Sequence, residues 1–191
     1  MRRSRARRPL PALALVGAIV LFLVFGSLER RGPYPRLAGV GGGRAKERIS
    51  SIVAEVVDGD TILLQSGTRV RLAQIDAPER EGECYGEQAR RALEQLAPVG
   101  SRVRVETDPA LDRLDRYGRL LAYVFKGDMD VNLELVRRGA AAPYFYRGER
   151  GRYAASLLAA ARRAKAERRG LWGACPDARL RPTLAVSTGS S

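Results

Sequence analysis

Hydrophobic positions along this chain change period several times, and the changes divide it into segments. Leu10 to Leu28 carries no charge, a run about long enough to cross a bilayer as a helix. The flank before it reads RRSRARR, and basic flanks stay on the cytoplasmic side. Residues 1–28 are therefore predicted as a basic N-terminus and a transmembrane anchor through residues 10–28, with the rest of the chain outside the cytoplasm. The competing reading is a secreted protein whose signal peptide is removed. Such peptides have an apolar stretch of about 7–15 residues ending at a small-residue cleavage site; this run is longer, and Phe25-Gly26-Ser27 fits such a site poorly. Residues 29–48, with Pro33, Pro35 and the run GVGGGR, have no period and read as a flexible linker.

From Ile49 the pattern alternates. Ile49–Val57 is predicted as a first strand. Ile62, Leu63 and Leu64 form a second, and Val70, Leu72 and Ile75 belong to a third, joined across a Gln65–Thr68 turn in which Gly67 supplies the unusual dihedrals. From Tyr85 the period becomes helical through Ala89, Ala92, Leu93 and Leu96, until Pro98 and Gly100 stop it. Arg102–Glu106 alternates again, and Leu120–Lys126 follows a polar loop. Asp130 is placed to cap a helix ending at Gly139, Ala140–Tyr146 reads as extended, and a last helix is predicted over about Glu149–Arg169. Leu171 and Trp172 are expected to pack back on the core. Residues 49–175 thus form one α+β domain, strands first and helices after. Residues 176–191, rich in Ser, Thr and Pro, are predicted disordered.

Composition is that of a folded protein, with 29% charged and 45% hydrophobic residues. The net charge of +13 invites a nucleic-acid reading, but residues 1–48 hold eleven basic side chains against two acidic ones, whereas residues 49–175 hold 21 against 18. The charge belongs more to the N-terminal segment than to the domain and says little about its ligand.

Chemistry concentrates in Val56–Glu79, which holds Asp58, Asp60, Asp76, Glu79 and Arg71. Asp60 opens the second strand and Asp76 closes the third, so the two acids are predicted to face each other across the ladder. Paired carboxylates repel, and a hard cation between them, Ca²⁺ or Mg²⁺, removes the conflict. Spacing alone equally allows a hairpin with solvated acidic ends, Arg71 as a cross-strand ion pair, and Glu79 as a surface glutamate. The absence of histidine excludes a His-based nuclease and the common zinc sites. Cys84 and Cys175, in a chain read as exported, are expected to form one disulfide.

Three segments in order, VVDGDT, RVRLAQIDAPE and DRYGRLLAY, resemble the staphylococcal nuclease (thermonuclease) family, and the likeness runs from about Ile52 to Trp172. It implies a five-stranded OB-fold-like β-barrel capped by about three helices, and Ca²⁺-dependent phosphodiester hydrolysis leaving 3′-phosphate ends. By resemblance Asp60 and Asp76 are the side-chain metal ligands, and Ala77, where the family commonly has Thr, offers its carbonyl. Asp58 is either an outer support of the metal site or a turn cap before Gly59. Glu79 matches the proposed general base, and Arg71 and Arg119 match the arginines that grip the scissile phosphate. Tyr117, Tyr144 and Tyr146 fall where the family lines its nucleotide pocket, and the alternative for them is a hydrophobic minicluster. Arg116 stands where the best-known member has Lys. The loop between Glu79 and Tyr85 is shorter than in that member, so strand and sugar preference do not carry over. The implied partner is nucleic acid, DNA or RNA; no obligate protein partner is expected. Two other classes stand beside the nuclease: a non-catalytic nucleic-acid-binding module, which would not need the acids, and a Ca²⁺-dependent surface interaction domain, which would not need two phosphate-facing arginines.

Overall fold

A computed structural model describes residues 46–189, and the predicted anchor and most of the linker lie outside them. Among the described residues no helix is long and apolar enough to cross a membrane. The elements in chain order are β1 (Arg48–Val56), β2 (Thr61–Leu64), β3 (Arg69–Leu72), β4 (Ile75–Asp76), α1 (Gly86–Leu96), β5 (Arg102–Glu106), β6 (Leu120–Lys126), β7 (Met129–Asp130), α2 (Val131–Arg138), β8 (Ala142–Pro143), a 3₁₀ turn at Tyr146–Gly148, α3 (Ala154–Ala166) and α4 (Leu171–Ala174).

Five strands close a barrel. β1 pairs antiparallel with β2 and β5, β2 with β3, and β5 with β6. A parallel pairing of β3 with β6, Val70 opposite Leu120, shuts the ring and leaves these strands few free edges. The alternating residues point inward: Val53, Ile62, Leu64, Val70, Leu72, Val103, Val105 and Val124 are all buried. The same core takes Ala89, Leu93 and Leu96 from α1, Leu135 from α2, and Leu157 and Ala161 from α3. Each fully buried Leu, Ile or Val contributes about 1.5–3 kcal/mol. The α2 ends follow the reading of the sequence: the Leu133 N–H donates to the Asp130 carboxylate at 3.0 Å, and Gly139 ends the helix at φ 70°.

Three expectations need correcting. First, the third strand does not run on to Asp76. The chain leaves the barrel at Gln74, whose φ is 62°, and Ile75–Asp76 pairs instead with Ala142–Pro143. Gln74 is held there from far along the chain: its amide donates to the Glu149 carbonyl at 2.8 Å and accepts from the Gly151 N–H at 2.8 Å. Second, the last helix is shorter than Glu149–Arg169. The N–H groups of Gly151 and Arg152 are bound by Gln74 and Asp108 side chains, so the helix starts only at Ala154.

Third, the tail predicted to be disordered is described as far as residue 189 and lies on the domain. Ala178 and Val186 are buried with Leu171, Trp172 and Cys175. The Phe145 N–H donates to the Pro182 carbonyl at 2.6 Å, and the Thr188 hydroxyl donates to the Cys84 carbonyl at 2.7 Å. Cys84 and Cys175 are joined as a disulfide across 91 residues of sequence. Mass spectrometry of unreduced, alkylated protein is expected to find no free thiol; two alkylated cysteines would contradict it.

Candidate active site

All of the non-cysteine residues singled out from the sequence line one cavity of about 420 Å³: Asp58, Asp60, Arg71, Asp76, Ala77, Glu79, Arg116, Tyr117, Arg119, Tyr144 and Tyr146. They come from the β1–β2 turn, from β3, from β4 and the chain just after it, from the loop before β6, and from the segment after β8. Barrel closure brings the loop before β6 beside β3. The β4–β8 pair carries the tyrosine segment to Asp76, and the Tyr144 N–H donates to the Gln74 carbonyl at 2.9 Å.

Asp60 and Asp76 meet at a guanidinium. Arg71 Nη2 lies 2.8 Å from Asp60 Oδ2 and 2.6 Å from Asp76 Oδ1. Its Nη1 donates to the carbonyls of Leu72 and Ile75, at 2.9 and 2.6 Å. The remaining carboxylate oxygens are also held. Asp60 Oδ1 accepts from the Thr61 hydroxyl at 3.0 Å, Asp60 Oδ2 also accepts from the Ala77 N–H at 2.9 Å, and Asp76 Oδ2 accepts from the Val186 N–H at 2.7 Å. Asp58 behaves as a turn cap, accepting from the Asp60 N–H at 3.0 Å, and its carboxylate stands close enough to repel the other acids. Gly59 is required by packing, since a Cβ there would sit 2.6 Å from the Ala77 Cβ and 2.7 Å from the Ala89 Cβ.

Burial pushes the Asp60 carboxyl up to about 7; Arg71 opposes that shift, while Asp58 and Asp76 add to it. Asp76 is raised for the same leading reason, against Arg71 and the Val186 N–H. Burial alone would lower Arg71, but the charges of Asp60 and Asp76 outweigh it and keep the guanidinium protonated.

Glu79 stands at the exposed rim. Its own N–H donates to the Glu83 carboxylate at 2.8 Å. Loss of hydration against the cavity wall, then the charges of Asp58, Asp76 and Glu83, raise its carboxyl above the usual glutamate value. Such a group binds a proton more strongly than a free carboxylate, as a general base requires.

Arg119 faces the cavity from the other side. Its Nε donates to Asp115 at 2.6 Å, Nη1 lies 3.5 Å from the Thr61 hydroxyl, and the guanidinium sits 5.2 Å from the Tyr117 ring centroid. Arg116 covers the same ring at 4.7 Å. Tyr117 and Tyr146 are exposed aromatic faces, and the Tyr144 and Tyr146 rings lie 6.5 Å apart at 59°. The segment is not extended throughout, because Tyr146 begins the 3₁₀ turn. Tyr144 is half-buried, and Arg147 lies over the Tyr146 ring at 5.1 Å, so arginines accompany the tyrosines on both sides of the cavity.

Reading the sequence missed two residues here. Thr61 ties Asp60 to Arg119. Asp115 takes Arg119 by its side chain and also accepts the N–H groups of Tyr117 and Arg119, both at 2.9 Å. The signal for Asp115 was present in Asp-Arg-Tyr-Gly, a turn begun by an aspartate and closed by glycine.

Comparison with known proteins finds relatives that are nucleases by name. Residues 69–174 match the family described as Staphylococcal nuclease homologue. The chain is 34% identical over 142 residues to the thermonuclease of Staphylococcus intermedius, covering 70% of this chain and 79% of the relative. It is 36% identical over 132 residues to the micrococcal nuclease of Shigella flexneri, covering 63% and 71%. It is 33% identical over 144 residues to endonuclease YhcR of Bacillus subtilis, covering 67% of this chain but 12% of that longer protein. With a closed five-stranded barrel and a cavity that gathers acids, arginines and tyrosines, the chain belongs to the staphylococcal nuclease family of phosphodiester hydrolases.

Proposed function

We propose that this protein is a Ca²⁺-dependent endonuclease that hydrolyses phosphodiester bonds of DNA or RNA outside the cytoplasm and leaves 3′-phosphate ends. The observation that carries the reading is the convergence of Asp60 and Asp76 on one cation, the Arg71 guanidinium, at the wall of a cavity shared with Glu79 and Arg119.

The donor set fits a hard divalent ion. Two carboxylates already share a positive partner, and by the family likeness the Ala77 carbonyl would add a neutral oxygen of the kind Ca²⁺ accepts. Among the described residues no group of three or more His, Cys, Asp or Glu side chains stands ready as a complete metal cage, so water would fill the shell. Bound there, Ca²⁺ would supply Lewis-acid polarisation of a phosphoryl oxygen. The protein's own residues do the rest. Glu79 takes the proton from the attacking water at its carboxylate as the water oxygen bonds to phosphorus; the P–O5′ bond breaks, and the leaving 5′-oxygen takes a proton from solvent. Arg119, held by Asp115 at Nε and lining the cavity, neutralises charge on the phosphoryl oxygens. The tyrosines stack bases without reading sequence. Arg71 has four contacts on carboxylates and carbonyls. To face the phosphate with both forks it must release an acid, so Arg119 is the primary phosphate ligand in this arrangement.

Single-turnover cleavage of labelled single- and double-stranded DNA by the full-length protein in detergent, with Ca²⁺ varied, tests the proposal. Cleavage is expected to vanish in excess chelator and return with Ca²⁺. Full activity in chelator would overturn the metal reading, and tight binding without cleavage would favour the binding module. The export proposal rests on the arginine cluster at residues 2–8, the uncharged run after it, and the disulfide. Protease added to intact cells is expected to release the domain; recovery of the full-length chain in the cytosol would refute the topology.

A further inference from the structure

The last described residues pass directly over the candidate site. Ala185 and Val186 form part of the cavity wall. The Val186 N–H donates to Asp76 Oδ2 at 2.7 Å, while Arg71 holds Oδ1 at 2.6 Å, so both oxygens and the plane of this carboxylate are fixed. The segment is pinned on both sides of that contact. Before it, the Pro182 carbonyl accepts from the N–H of Phe145, the residue between Tyr144 and Tyr146, at 2.6 Å. After it, the Thr188 hydroxyl donates to the Cys84 carbonyl at 2.7 Å, and the Gly189 carbonyl accepts from the Cys84 N–H at 3.0 Å. Cys84 is itself locked to Cys175. Hydrophobic burial alone does not explain this course. Leu184 is 53% exposed and Val186 is the one buried aliphatic side chain of residues 182–189, so hydrogen bonds of the main chain and of the Thr188 hydroxyl set the path.

We propose that residues 182–189 form a strap that positions Asp76 for a divalent cation, with the Val186 main-chain N–H as the positioning group and Cys84 as the anchor. The proposal rests on the reading of Asp60 and Asp76 as the cation site. A donor on the outer oxygen fixes the orientation of the carboxylate. Removing such outer partners typically weakens metal affinity by about 10–100-fold.

The test is Ca²⁺ binding without nucleic acid, measured by calorimetry on the full-length protein in detergent at one pH. Val186→Pro removes the N–H and is expected to weaken Ca²⁺ binding by about 10–100-fold. The conservative variant Val186→Ala keeps the N–H and is expected to restore near-native affinity. A chain ended after Thr183 removes the donor without a proline and keeps the Pro182 contact; it is expected to lose affinity to the same extent. Thermal unfolding and thiol counting establish that each variant retains the fold and the disulfide. Native affinity in both Val186→Pro and the shortened chain would overturn the proposal. Tighter binding would overturn it too, by showing that the strap competes with the ion. Equal binding by the native protein and Asp76→Ala would sink the cation-site reading, and the strap's role with it.

Discussion

Replacing Glu79 by glutamine is expected to lower the single-turnover cleavage rate by roughly 10²–10⁴ while leaving substrate affinity largely intact. The amide keeps the shape and an acceptor oxygen but cannot take a proton at working pH. Glu79 is suited to the test because it stands at the rim, and the contact it makes to Glu83 is through its main-chain N–H, which the substitution preserves. The fold should therefore be unaffected. The pH profile adds a second readout. Loss of hydration and three neighbouring acids raise the Glu79 carboxyl, and a base acts only when deprotonated. The native rate at saturating Ca²⁺ should climb as pH rises through the range in which Glu79 loses its proton and then level. In Glu79→Gln that limb should disappear. An unchanged rate, or the same limb in the variant, would remove Glu79 from the mechanism.

The barrel was legible in the sequence because burial on one face of a strand leaves a period of two, and Val103, Val105, Ile62 and Leu64 carry it plainly. The members of the site were legible through acids and arginines at the ends of those strands and through the family likeness. Their arrangement was less so. Asp76 was placed across the ladder from Asp60, yet it reaches its place on β4, after a turn at Gln74 held by main-chain groups of Glu149 and Gly151. Nothing within Val70–Glu79 encodes that contact. The strap was hidden for a related reason. A segment rich in Ser, Thr and Pro looks unstructured by composition, but here main-chain carbonyls and N–H groups, with the Thr188 hydroxyl, do the binding, and every residue type supplies a carbonyl. The two readings of Arg71, ion pair and phosphate ligand, describe one guanidinium that the structure places between the acids.

Arg71→Ala is expected to destabilise the protein by about 3–5 kcal/mol at about pH 8 in the presence of chelator, because it leaves the buried Asp60 and the half-buried Asp76 carboxylates without their cation. The Arg71 side chain is 11% exposed and that of Asp60 8%, so water cannot replace the lost partner fully. The loss should depend on pH in a defined direction. Asp60 is already raised to about 7 with Arg71 present; removing the guanidinium removes its lowering influence and raises Asp60 and Asp76 further. A carboxyl whose folded value lies above its unfolded value binds protons more tightly in the native state. Its penalty is absent below the unfolded value, about 3.9 for aspartate, and grows as pH climbs towards the folded one; for Asp60 the native protein shares it up to about 7, and above that only the variant's penalty keeps growing. Thermal unfolding at about pH 5 should therefore show a modest difference from the native protein, and at about pH 8 a large one. Arg71→Lys, which keeps a positive charge but not the fork to four acceptors, should fall between the two. Added Ca²⁺ should raise the melting temperature of Arg71→Ala more than that of the native protein, since the ion supplies the charge the variant lacks. A loss that is the same at both pH values would show that Arg71 stabilises by packing rather than by neutralising the acids. A melting temperature of Arg71→Ala indifferent to Ca²⁺ would count against Asp60 and Asp76 as a cation site.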